Sequence, residues 1–475
     1  MSRTSRSALS DPPRAAALHV LEIDYDDPVR LFAAFADDPH AVLLDSATEG
    51  RSGRHSFIAA EPFQVLTSRD GRVAIDGRPV AGDPFDVLRA ELARYPLTPE
   101  PGLPPFSGGA VGYLGYELAR HLERVPVPDD DALGLPDLAM LFCDVVVAVD
   151  HRERRAWILS SGHPERDPAA RAERAEERAR RLRDRLRAAP ALGPPPAPRR
   201  APSIESTFTR PHYEWAVRQV IERILAGDVF QANLSQRFAS ELPEDLAPFD
   251  LFRRLRERNP APFASILKLG DAAVVSSSPE RFLRLSGRRV TTCPIKGTRP
   301  RGADADADRA LEASLLASEK DRAENVMIVD LLRNDLSRVC RDGSVEVPSL
   351  CRLERFATVF HLVSTVTGDL RPGMTAVDLL AACFPGGSIT GAPKIRAMEI
   401  IAELEATRRG PYCGAIGYLG FDGTLDSSVV IRTFAIRDRR VSFHAGGGIV
   451  ADSSPADEYD ETIAKARALV AALSP

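Results

Sequence analysis

Five consecutive residues, Pro294-Ile295-Lys296-Gly297-Thr298, set a lysine between a strand-like run at 289–293 and a glycine. A lysine amine has a reference pKa of about 10.4, and it attacks carbon only once burial or a nearby cation lowers that value. Glu280 follows Pro279 at the start of another strand-like run, where an apolar pocket would raise its pKa and make it a general acid. Two further acids come in pairs, Asp321 with Glu324 on one expected helix and Glu458 with Glu461 on another. A spacing of three places each pair on one helix face. Facing pairs repel unless a cation lies between them. A few carboxylates completed by water and substrate suit Mg2+. Taken singly, these residues have plainer readings: a turn lysine, an acid paired with Arg281, solvated carboxylates, and Lys465 as the helical partner of Glu461.

Other segments offer places for an anion. The glycine-rich stretch from Phe384 to Lys394 opens an expected helix but lacks the Gly-Lys-Ser/Thr ending of a nucleotide loop. Its amides and Thr390 can still hold a carboxylate at a helix start. Ala445-Gly446-Gly447-Gly448 can do likewise, or simply turn the chain. Arg432 follows the apolar run Val429-Val430-Ile431, and an arginine within such a strand requires an anion that fits its fork. Cys293 reads as a small buried packing residue.

The elements that carry these residues fall into two blocks. Block 18–160 is mostly strands, with hairpin signals at Asp70-Gly71 and Asp76-Gly77. Block 207–473 mixes helices at 211–226, 250–258 and 318–332 with strands at 263–269, 272–276, 282–285 and 289–293. It ends in a meander (413–421, 426–437, 440–450) and a helix opened by Ser453-Ser454-Pro455. Between the blocks, 164–202 reads as a linker: a solvated charged helix, then a proline-rich spacer. Residues 1–17 read as a disordered leader, without the apolar core of a secretory signal. One echo links the blocks: Gly109-Ala110-Val111-Gly112-Tyr113-Leu114-Gly115-Tyr116 resembles Gly414-Ala415-Ile416-Gly417-Tyr418-Leu419-Gly420-Phe421. The pattern predicts an α+β fold, large antiparallel sheets packed as a sandwich with helices outside. Among 475 residues the net charge is -5, which gives no argument for nucleic acid. No apolar run is long enough for a membrane span. Six scattered cysteines without paired or finger spacing fit a reducing cytoplasm and argue against zinc.

Together these motifs resemble the chorismate-utilising family. The resemblance is densest from Gly227 to Lys465 and rests on Gly227-Asp228-Val229-Phe230-Gln231-Ala232-Asn233-Leu234-Ser235, Ser278-Pro279-Glu280, Asp330-Leu331-Leu332-Arg333-Asn334-Asp335-Leu336, the stretch 386–394 and the closing acidic helix. It implies the fold of anthranilate synthase component I. Members that add water carry a lysine base where this chain has Gln231. Anthranilate synthases usually have a small residue at the place of Lys296, and commonly Glu-His where this chain has Glu324-Asn325. The Pro-Ile-Lys-Gly-Thr form is similar to component I of aminodeoxychorismate synthase.

The resemblance implies amination of chorismate at ring carbon 4. Lys296 would attack carbon 2 while the 4-hydroxyl leaves, protonated by Glu280. Ammonia, supplied by a separate glutaminase subunit, would then attack carbon 4 and expel the lysine. The product, 4-amino-4-deoxychorismate, leads to 4-aminobenzoate and folate. Mg2+ would sit on Glu324 and Glu461, with Asp321 and Glu458 acting through water. Arg432, Tyr418, Thr390, Gly447, Lys465 and Gln231 would meet the substrate. Leu44, Ser46 and Pro262 lie in segments that hold tryptophan in relatives. Asp45 and Ala261 depart from the family there, which weighs against feedback control and leaves a bound tryptophan a structural role. The alternatives are component I of anthranilate synthase and a non-catalytic subunit that docks a glutaminase or binds tryptophan.

Overall fold

The computed structural model describes residues 18–48, 53–355 and 359–475; the leader expected at 1–17 lies outside them. Two twelve-stranded sheets pack face to face, and every strand pairing in their ladders is antiparallel. This is the expected α+β sandwich. Between the sheets lies an apolar layer that includes Val42, Phe57, Phe106, Tyr113, Leu267 and Tyr418. Helices Pro28–Phe32, Pro168–Arg187, Pro248–Arg258 and Pro455–Leu473 cover the outer face of one sheet. Helices Pro84–Ala93, Glu319–Ser337 and Ala376–Cys383 cover the other. No described helix is long and apolar enough to cross a membrane.

Each sequence block supplies strands to both sheets. In one, His40–Asp45 of the first block pairs with Phe263–Leu269 of the second. In the other, the two echoing segments are direct neighbours. Gly109–Leu114 and Ala415–Gly420 run antiparallel with Gly112 opposite Gly417. A Cβ at Gly112 would fall 1.9 Å from the Ala139 carbonyl oxygen, so the missing side chain is what permits the close approach. The Asp-Gly pairs form the expected turns, with φ of 50° and 76° at Asp70 and Gly71 and 49° and 74° at Asp76 and Gly77.

Two adjacent strands hand the chain from one sheet to the other at the same level. Ala272–Ser278 belongs to the first sheet and Arg281–Ser286 to the second. Leu425–Val429 belongs to the second and Thr433–Arg437 to the first. The crossovers are tied together: the Val429 amide donates to Glu280 O (3.0 Å), the Ser277 amide to Arg432 O (3.1 Å), and Ser278 Oγ to Val429 O (2.6 Å). The strand expected at 426–437 is therefore two strands. Arg432 lies not within an apolar strand but at the break, with φ +53°.

The charged helix of the linker is also not solvated as expected. Pro168–Arg187 buries Ala175, Ala179 and Leu182 against the sheet. Its arginines reach inward, Arg174 and Arg178 each 3.2 Å from the fully buried carboxylate of Asp144, with Arg178 and Arg185 each 2.7 Å from Glu61. Small alanines let the backbone approach, and acids on the sheet give the guanidinium groups partners. The proline-rich stretch after it lies against Pro248–Arg258, where Arg254 Nη1 donates to Pro196 O at 3.0 Å.

Candidate active site

Lys296 is aimed by a bulge. Strand Ile295–Pro300 pairs with Val359–Asp369, but the register slips between Lys296, opposite Leu362, and Thr298, opposite His361. Gly297 takes up the slip with φ +78°, and a Cβ there would lie 3.0 Å from both Asp321 Cβ and Leu315 Cδ1. The bulge is pressed against Glu319–Ser337 and needs a glycine. Burial lowers the Lys296 pKa; Glu324, Glu280 and Glu461 pull it back, Lys465 adds to the fall, and the net direction is down.

Glu280 sits in the first crossover, 6% exposed. Burial pushes its carboxyl up to about 7, against the downward pull of the Ser388 hydroxyl, the Lys296 charge and the Ile295 amide. Ser388 Oγ donates to Glu280 Oε1 at 2.6 Å.

The two acidic helices face each other across this point. Glu319–Ser337 is capped by Ser318, whose hydroxyl accepts from the Asp321 amide, and carries Glu324. Pro455–Leu473 carries Glu458 and Glu461. The second of them packs its acidic face on Gly447, where a Cβ would fall 2.9 Å from Glu458 Oε2, 3.6 Å from Glu461 Oε1 and 3.8 Å from Lys465 Nζ. Burial raises the Glu324 pKa, and Asp321 and Glu461 raise it further. Burial also raises Glu458, whose Oε1 accepts from Ser453 Oγ at 2.7 Å. Burial acts upward on Glu461 too, but Lys465, 2.7 Å away, brings it below the usual range. Mutual repulsion among glutamates beside a bare backbone position fits a small hard cation. Among the described residues no three His, Cys, Asp or Glu side chains form a complete protein cage. Mg2+ takes one or two carboxylates and completes its shell with water and substrate, so the donor set suits it.

The remaining expected residues divide. Gln231 is 1% exposed, its Oε1 has no partner among the described residues, and its Nε2 lies 1.7 Å from where a Cβ on Gly448 would be. Thr390 is fully buried, with Oγ1 donating to Gly386 O at 3.0 Å. Arg432 is held by burial below its usual pKa and makes no ion pair among the described residues; its nearest acceptor is Asn259 Oδ1 at 3.5 Å. Its charge is felt by His361, which burial pushes down to about 4 and which hydrogen-bonds Thr298 at 2.9 Å. A guanidinium without an ion pair among the described residues can receive an anion.

Three expectations need correction. Tyr418 is not beside Lys296. It lies between the sheets, stacked on Phe106 at 4.4 Å, because alternate residues of its strand face opposite sides. It lines a cavity of about 820 Å³ together with Leu44, Ser46 and Pro262, the residues placed in the tryptophan segments. Asp45 there is committed to Arg256 at 2.7 Å. Asp321 is not free: it pairs with Arg299 of the lysine strand at 3.1 Å, while its charge still acts on Glu324. Lys465 is occupied by Glu461 and donates to Gly446 O at 2.8 Å, the plainer of its two sequence readings. The sequence reading also missed Ser388, His361 and Lys320, whose charge reaches Glu324, Glu458 and Glu461. Lys320 was findable, four residues before Glu324 on one helix face. Ser388 and His361 carry no local signal.

Comparison with known proteins bears on this arrangement. The sequence pattern of the family described as "chorismate binding enzyme" matches residues 39–471. Anthranilate synthase component 1 of Thermus thermophilus is 44% identical over 453 residues, covering 95% of this chain and 96% of that protein. Its counterpart in Pseudomonas aeruginosa is 42% identical over 470 residues, covering 95% and 94%. The crystal structure of anthranilate synthase component I from Streptococcus pneumoniae superposes with a TM-score of 0.77 at 33% identity, covering 89% of this chain and 93% of that one. These relatives are not named for the carbon-4 amination expected from Lys296. At the level of family the matches agree over nearly the whole length: the chain belongs to the chorismate-binding enzymes.

Proposed function

We propose that this chain aminates chorismate at ring carbon 4, as component I of an aminodeoxychorismate synthase, with ammonia from a separate glutaminase. The observation that carries the reading is the seat of Lys296: a lysine of lowered pKa, fixed by a glycine bulge and electrostatically coupled to Glu280, Glu324 and Glu461. Its neutral amine attacks carbon 2 as the 4-hydroxyl departs with the proton of Glu280. Ammonia then adds at carbon 4 and the carbon–nitrogen bond to lysine breaks. Two such displacements with shifted double bonds return the ring diene. Arg432 takes a substrate carboxylate. Glu324 and Glu461 would hold Mg2+, which neutralises the ring carboxylate when bound. The inter-sheet cavity, with Leu44, Ser46 and Pro262, would take tryptophan in a structural role.

A second reading is anthranilate synthase component I, which the names of the relatives above favour over the first. It leaves Lys296 without a covalent task. Incubation with chorismate, ammonium and Mg2+ decides between them by product. The expected product is 4-amino-4-deoxychorismate, and Lys296→Ala should lose at least a hundredfold in its formation. Anthranilate as the main product, unaffected by Lys296→Ala, establishes the second reading.

A further inference from the structure

The glycine-rich stretch 384–394 lacks the Gly-Lys-Ser/Thr ending of a phosphate loop, and the proposed reaction uses none of its backbone amides. Its construction is that of a rigid bracket. At one end Lys394 Nζ pairs with Asp335 at 2.7 Å and donates to Cys383 O at 3.0 Å. At its midpoint, Arg409 Nη1 donates to Ile389 O at 3.2 Å while its fork is held by Glu405 at 2.6 Å, both side chains 1% exposed. The Asn233 amide donates to Thr390 O at 2.8 Å. In its first half, a Cβ on Gly387 would fall 2.5 Å from Leu331 Cδ2, and one on Gly386 3.4 Å from the Phe282 ring. A segment closed by Lys394, held at its midpoint and pressed flat before it has little freedom. Its one polar side chain bonded to the acid is Ser388, 9% exposed, with its hydroxyl 2.6 Å from Glu280 Oε1.

We propose that Ser388 is a positioning residue for Glu280: the clamped bracket presents its hydroxyl to Oε1 and so fixes the plane of the carboxyl that delivers the proton. This inference rests on the proposed role of Glu280 but not on which carbon is aminated. A fixed hydroxyl donor also stabilises the carboxylate form, so its removal must move the titration of Glu280 upward from about 7.

The test compares wild type, Ser388→Ala, Ser388→Thr and Glu280→Gln, each first checked for an unchanged melting curve. Chorismate consumption is followed against pH at constant free ammonia. Ser388→Ala should lower kcat about tenfold with KM changed less than threefold, and should shift the alkaline limb up by at least half a unit. Ser388→Thr should restore both. In the Glu280→Gln background Ser388→Ala should cost nothing further. The carboxyl titration of Glu280, read by infrared difference against Glu280→Gln, needs no turnover and should rise in Ser388→Ala. An unmoved titration, or an equal loss in the Glu280→Gln background, overturns the proposal. Absence of any chorismate turnover, with the infrared shift present, would instead count against the proposed function alone.

Discussion

At the scale of single residues, one physical cause prepares two opposite chemistries. Burial disfavours charge, so it raises the pKa of a carboxylic acid and lowers that of an amine. Glu280 is pushed up to about 7 and Lys296 is pushed down, and both move toward the uncharged form in which an acid keeps its proton and an amine its lone pair. Attraction between the two opposes this, and desolvation prevails at both. The sign of the pH dependence follows. The acid works protonated, so kcat/KM for chorismate at constant free ammonia should fall tenfold per pH unit above about 7, while Lys296 governs the acidic limb. A flat profile from pH 6 to 9 would remove Glu280 from its role. Much of this was legible in the chain. Proline before the acid and proline and glycine around the lysine mark places where a backbone changes course, and two pairs of acids spaced three apart mark the helices that carry Glu324 and Glu461. Ser388 was not legible, because its bond to Glu280 joins residues more than a hundred positions apart.

At the scale of elements, the bulge in Ile295–Pro300 is the most exacting device. An alanine at position 297 would carry a side chain at φ +78° into Asp321 and Leu315. Backbone strain of this kind costs about 1–3 kcal/mol. Gly297→Ala should therefore lower the melting temperature by several degrees. Its effect on rate should be larger, about a hundredfold, because the amine is displaced from its line of attack. A variant that melts early but turns over normally would show that the bulge serves stability alone. The elements also show where periodicity misleads. The apolar run through Val429 and Ile431 reads as one strand, yet it serves two sheets and breaks at Arg432. Alternation says that Tyr418 and its neighbours face opposite sides, but not which side holds chemistry. The helix Pro168–Arg187 looked solvated because its acidic partners, Glu61, Asp144 and Asp38, lie elsewhere in the chain.

At the scale of the whole molecule, the two sequence blocks cannot be parted. The pairings of Gly109–Leu114 with Ala415–Gly420 and of His40–Asp45 with Phe263–Leu269 carry both ladders across the boundary. Residues 203–475 produced alone would expose strand edges and the apolar layer between the sheets, a condition that favours aggregation. That fragment should be insoluble or lack a cooperative melt, and co-production with residues 18–202 should restore a soluble complex. A cooperatively folded fragment would contradict this account. Composition changes over 164–202, but it does not report which strands become neighbours.

The paired crossovers have a mechanical consequence. Glu280 and Arg432 ride on the suture where two slabs of β-structure exchange strands, and three hydrogen bonds stitch that suture. Lys296 belongs to one slab only. Any tilt of one slab against the other would leave Glu280 and Arg432 tied to each other at the suture, while Lys296 moved with its own slab. The interior between the slabs, by resisting such a tilt, thereby holds the distance from the Lys296 amine to Glu280.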